Sequence, residues 1–136
     1  MIDWTQKQSA ESKATACRAS KYEALRYYRW QREEGGIEID GLGRFATTAD
    51  SQSKISNARV SVIEGMIQQP IAWSVNGAWV DLTTEQITSV GAAVAAHVQA
   101  CFDAQRAVEG QMDALDDLTD FDVQAAFDAA YAERTA

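Results

Sequence analysis

The chain has 136 residues, 46% of them apolar and 24% charged, with one proline and a net charge of −8. That composition is too apolar for disorder and rich enough for one buried core, and no apolar run approaches the ~18 residues of a membrane span. The first dozen residues carry Asp3, Lys7 and Glu11, which does not suit a secretory signal. Cys17 and Cys101 match no metal-binding or redox spacing, so a reduced chain is expected over a disulfide scaffold.

Charge is distributed unevenly. Residues 1–34 carry +2, residues 35–102 carry −3 and residues 103–136 carry −7. A surplus of carboxylates repels a phosphate backbone, so nucleic acid is not expected as the main partner. The basic front and acidic tail are placed to attract one another, within one subunit or between neighbours, or to serve as solvated helix faces.

Asp3 can cap a first helix that runs without Gly or Pro until Gly35-Gly36. Its front half offers only a narrow stripe of Trp4, Ala10, Ala14 and Cys17, suited to close packing against another helix. Its second half carries Tyr22, Leu25, Tyr28, Tyr27 and Trp30 on two apolar edges and should dock firmly.

Ile37-Glu38-Ile39 followed by Asp40-Gly41 predicts a hairpin. A loop of Asp40 to Leu42 pairs Glu38 with Arg44 and Ile37 with Phe45, matching charge with charge and apolar with apolar. A second helix begins near Asp50 or Ser51. Ile55, Ala58, Val62, Met66, Ile63 and Ile67 form its expected core face, and Pro70 ends the segment.

Asn76-Gly77 is the stronger hairpin signal, because both residues tolerate the positive φ of a two-residue turn. Val75 then opposes Ala78, Trp73 opposes Val80 and Ile71 opposes Leu82 on one face. Trp79 falls on the other face, as a half-covered packing residue by preference or as an exposed anchor for a partner.

Thr83 with Gln86 forms a capping box for a long third helix. Ile87, Val90, Val94, His97 or Val98, Cys101, Ala104 or Gln105, Val108, Met112 and Leu115 make a heptad-like stripe, longer than two small hairpins can cover. The excess should pack on the first helix or on another subunit. Thr119-Asp120, followed by Val123, Ala126, Phe127, Ala130 and Tyr131, predicts a short capped last helix.

The expected fold is α+β and mostly helical: a long N-terminal helix, two β-hairpins forming a small antiparallel sheet, an amphipathic middle helix, a long heptad-like helix and a short last one. Residues 1–34 form the front helix, 35–110 a small α+β domain and 111–136 an acidic tail.

No reaction constellation emerges. His97 lies on the apolar stripe, where a satisfied interior histidine is the simpler reading. Both cysteines fall on small-residue stripes and read as buried packing residues, with a nucleophilic thiol beside His97 in a small thiol-dependent enzyme as the rival reading. The acidic run Asp116 to Asp122 fails the calcium-loop test, because the sixth position from Asp117 is Asp122 instead of Gly and the twelfth is Asp128 instead of Glu. Gly41-Leu42-Gly43 lacks the third glycine and the helix of a dinucleotide site. No cofactor, metal or small-molecule substrate is therefore expected. Arg26-Tyr27-Tyr28-Arg29-Trp30-Gln31-Arg32 is the one basic, aromatic stretch. On a helix its rings spread over two faces, which favours core anchoring with arginine stems along the edge, then a protein contact, over a base-stacking platform. The candidate protein-interaction residues are Trp4, Arg26, Tyr27, Arg29, Trp30 and Trp79.

The order of Trp30-Gln31-Arg32-Glu33-Glu34-Gly35-Gly36-Ile37-Glu38-Ile39-Asp40-Gly41, Thr47-Thr48-Ala49-Asp50-Ser51, Ile71-Ala72-Trp73 and Asn76-Gly77-Ala78-Trp79-Val80-Asp81-Leu82-Thr83 resembles an uncharacterised domain family. That family is found among phage and prophage tail and tail-fibre genes, and its pattern continues into an Ala-rich helix like Val94 to Phe102. The resemblance covers about Arg29 to Val108. This chain carries an extra residue after Asp40-Gly41 and a different, acidic ending. The resemblance implies a non-enzymatic component of the tail-fibre or baseplate region, or a soluble assembly chaperone for it. Its partners would be other tail or fibre proteins and further copies of itself through the helices. Its place would be the virion tail, or the host cytoplasm during assembly.

Overall fold

The computed structural model describes the backbone from Trp4 to Ala136 and the side chains from Ser9 onward. The elements run α1 (Trp4–Glu33), β1 (Ile37–Ile39), β2 (Gly43–Phe45), α2 (Ala49–Ile63), β3 (Ile71–Val75), β4 (Ala78–Leu82), α3 (Thr84–Asp113) and α4 (Val123–Thr135). The fold class is α+β and mostly helical. The cap expected at Asp3 lies outside the described residues.

The chain divides into two compact units, one built from the segment up to Trp30 together with Ala100–Ala136, the other from Gln31–Gln99. The front helix up to Trp30 and the acidic tail both lie in the first unit, and the last turn of α1 lies in the second.

In the first unit, Leu25 of α1, Ala104, Val108 and Met112 of α3, and Val123, Phe127 and Ala130 of α4 form the core, closed by Leu118. Each fully buried large side chain here contributes about 1.5–3 kcal/mol of transfer free energy. The surplus length of the α3 stripe is covered, as expected, by α1. Leu115 lies beyond the end of α3 and is exposed. The last helix starts later than expected, because Asp122, not Thr119-Asp120, caps it by accepting the Ala125 amide at 3.0 Å.

In the second unit, both hairpins pair residue by residue as the turn chemistry requires. Ile37 faces Phe45 and Glu38 faces Arg44 across a loop of Asp40 to Leu42. Ile71, Trp73 and Val75 face Leu82, Val80 and Ala78 across Asn76-Gly77, both with positive φ. The hairpins are two separate two-stranded ladders, where one sheet was expected. They meet through side chains. Val75 presses so closely on Gly43 that a Cβ there would lie 3.3 Å from Val75 Cγ1.

The capping box of α3 is present, with the Thr83 amide donating to Gln86 Oε1 at 2.9 Å and the Gln86 amide to Thr83 Oγ1 at 3.1 Å. For α2 the cap is Thr48, which accepts the Ser51 amide at 3.1 Å, so the helix begins just before the expected Asp50 or Ser51. It also ends well before Pro70. Gly65, with φ +77°, closes it as the Gly65 amide bonds Val62 O and the Met66 amide bonds Ser61 O. Ile55 and Val62 are core as expected, but Ile63, the last residue of α2, faces outward, and Met66 and Ile67 are exposed because the chain leaves the helical register that would have aligned them.

The C-terminal end of α1 is tied by polar groups within this unit. Thr47, fully buried, donates to Glu33 O at 2.6 Å and accepts the Gly36 amide at 2.9 Å. His97 Nε2 donates to Arg32 O at 2.9 Å and lies 3.2 Å from Glu33 O. Arg44 Nη2 reaches Gly35 O at 2.7 Å. These donors satisfy carbonyls that a helix end leaves without partners.

Candidate interaction surface

Leu25 faces the core with no exposure, and at ~100° per residue Tyr27 and Trp30 turn to the opposite side of α1 while Arg26 lies on its flank. Tyr27 and Trp30 are accordingly 53% and 49% exposed. Their ring centroids lie 6.1 Å apart with planes inclined by 33°. Core anchoring, the preferred reading of the Arg26–Arg32 stretch, holds for Tyr28 but fails for Tyr27 and Trp30.

Arg29 extends this face toward α3. Its Nε donates to Gln105 Oε1 at 2.9 Å, and its guanidinium sits 4.7 Å above the Phe102 ring. Gln105 Nε2 in turn donates to Glu109 Oε1 at 2.9 Å, which fixes the amide that holds Arg29. Phe102 is 45% exposed and went unnoticed in the sequence. Its signal was present: a large ring beside Cys101, one step off the buried stripe. The result is a cationic and aromatic surface made of Arg26, Tyr27, Trp30, Arg29 and Phe102.

Trp79 belongs to the other unit and is 76% exposed, so it is not the half-covered packing residue preferred from sequence. Ser74 is its cross-strand partner and Ala72 pairs with Asp81, side chains too small to cover an indole. Trp4 opens α1, and its side chain lies outside the described residues. Ser9 to Ala16 are exposed on every side of α1, and Cys17 is half-buried. Among the described residues, nothing covers the small-residue stripe of the front helix over Ser9 to Ala16.

The oppositely charged ends meet inside the first unit, chiefly through carbonyl oxygens. Arg18 donates to Met112 O and Leu115 O, each at 2.9 Å, and Lys21 donates to Phe121 O at 2.7 Å. Cations at the end of α3 complement the carbonyls there and its dipole. Tyr22 donates its hydroxyl to Asp113, and that bond holds the phenol above its ordinary pKa. The acidic run serves turn and cap. Thr119 donates both hydroxyl and amide to Asp117 Oδ1, which lowers the Asp117 pKa, while Asp122 caps α4.

Among the described residues no group of three or more His, Cys, Asp or Glu is placed to hold a metal ion, and no helix is long and apolar enough to cross a membrane. Cys101 is fully buried, and Cys17 and Cys101 are not joined in a disulfide. Neither a curated protein nor a solved structure matches the chain. A family model described as a domain of unknown function (DUF4376) matches residues 16–132. The match is wider than the resemblance seen from sequence, and takes in the second half of α1 and nearly all of α4.

Proposed function

The chain belongs to the DUF4376 family, a domain of unknown function, and we propose that it is a non-enzymatic interaction component of a bacteriophage tail, in the tail-fibre or baseplate region. The observation that carries the interaction role is the exposed Tyr27–Trp30 pair flanked by Arg26, Arg29 and Phe102. Aromatic and arginine side chains on a rigid helix supply contact area at low entropic cost, and they are enriched where proteins bind one another. The tail assignment draws on the order of motifs that resembles a family of tail and tail-fibre genes. The partner is a tail or fibre protein. Self-association through the helices would cover the bare front of α1.

The test is mass spectrometry of gradient-banded phage particles, coupled to co-purification from infected cells. A fixed copy number in the particle supports a structural component. Absence from the particle with recovery bound to a fibre protein replaces it with an assembly chaperone. A Tyr27→Ala, Trp30→Ala double variant that retains its circular dichroism should lose the tail or fibre partner. Retention of that partner would remove this face from the function.

A further inference from the structure

A second surface, in the unit formed by Gln31–Gln99, is independent of the aromatic face on α1. Between α2 and α3 runs a groove of about 540 Å³. This falls within the ~300–1,000 Å³ typical of pockets that enclose a ligand group. Ile55 and Val94 form its apolar floor, Gly91 and Ala95 keep one wall low, and Arg59 and Thr88 stand at the rim. The wall is low for a reason that bears on Arg59: a Cβ at Gly91 would lie 3.1 Å from Arg59 Cδ, so the glycine lets the arginine stem lie across α3.

The same unit carries a surface of the complementary kind. The outward face of the β3–β4 hairpin holds Ala72, Ser74, Trp79 and Asp81, all exposed, and Trp79 is the only exposed large aromatic side chain described in this unit. Residues two apart on a strand project from one face ~7 Å from each other. With the indole in the groove, Asp81 stands beside it on the same hairpin face, and Arg59 is the one basic side chain in the groove lining. The indole N–H needs an acceptor once buried, and the Thr88 hydroxyl offers one. Size, apolar floor, hydrogen-bond need and charge agree on one occupant.

We propose that the Trp79–Asp81 face of one copy docks into the α2–α3 groove of a second copy, with Asp81 paired to Arg59. Each copy carries both halves, and the two exchanges are taken to be reciprocal, which closes a two-fold dimer in place of an open chain.

The experiment is sedimentation velocity of the full chain over a concentration series, with circular dichroism confirming the fold of each variant. The wild type should reach twice 14.9 kDa. Trp79→Ala, and Ala95→Leu filling the groove from an exposed position, should each weaken the dimer by about 30-fold or more, as loss of a central aromatic anchor does. Asp81→Arg should weaken it too, and Asp81→Arg combined with Arg59→Asp should restore part of the loss. A mixture of the Trp79→Ala and Ala95→Leu proteins should associate better than either alone, because one intact exchange survives. A wild type that stays monomeric overturns the proposal. So does a dimer indifferent to Trp79→Ala or to Ala95→Leu. If such a dimer dissociates on Tyr27→Ala, Trp30→Ala instead, the association runs through α1 and the proposed function survives without this contact.

Discussion

The Nε2 atom of His97 in α3 lies 2.9 Å from the carbonyl oxygen of Arg32 in the last turn of α1. A carbonyl only accepts, so the proton must sit on Nε2, and the single histidine of the chain acts as a helix C-terminal donor. His97→Ala removes a buried donor and should destabilise the protein by about 2 kcal/mol or more, with His97→Gln costing less because its amide can still donate. Urea unfolding of the three proteins measures the difference.

Thr47 tests the same helix end by another route. Its hydroxyl both donates to Glu33 O and accepts from the Gly36 amide. Thr47→Val keeps the shape but leaves both groups without that partner, so about 1–3 kcal/mol should be lost, while Thr47→Ser should remain near the wild type. Equal losses for Val and Ser would place the contribution of Thr47 in its methyl group.

Two glycines with open space around them should respond in opposite directions. Gly65 closes α2 at φ +77°, and nothing lies within 4 Å of an added Cβ. Gly65→Ala therefore isolates backbone strain and should cost about 1–2 kcal/mol. Gly110 sits in α3 with nothing within 4 Å and no positive φ, so Gly110→Ala should stabilise by up to about 1 kcal/mol. Thermal unfolding of the pair reads both signs.

The Thr119 hydroxyl and amide on Asp117 hold its carboxyl below the ordinary value of 3.8. A depressed acid adds stability at pH above its unfolded value and loses it as pH falls through the lower folded one. NMR titration of Asp117 should show this low midpoint, and Thr119→Val, which deletes the hydroxyl, should move it back toward the ordinary value. An unmoved midpoint would assign the shift to the backbone amide.

Where structure follows from neighbours in sequence, the sequence could be read closely. Asn76-Gly77 and the loop Asp40 to Leu42 set hairpin registers, the Thr83–Gln86 box set the start of α3, and a stripe from Ile87 to Met112 named its buried face. Exposure was harder, because it depends on what distant chain arrives to cover a face. Met66 and Ile67 continue the apolar spacing of α2, yet Gly65 turns the backbone out of helix before they can use it. Trp79 looked half-covered because its own face was visible and the lack of a covering element was not. Tyr27 and Trp30 were named as candidates, but Phe102, supplied by a helix far along the chain, was not paired with them.

The Arg18 bond to Leu115 O spans 97 positions, and the core around Leu25 waits for Val123, Phe127 and Ala130. The unit from Gln31 to Gln99, by contrast, is one uninterrupted stretch. During synthesis that stretch holds every residue of its own core once it clears the ribosome. The second half of α1, made earlier, keeps the greasy edge around Leu25 bare until Val123, Phe127 and Ala130 have been translated.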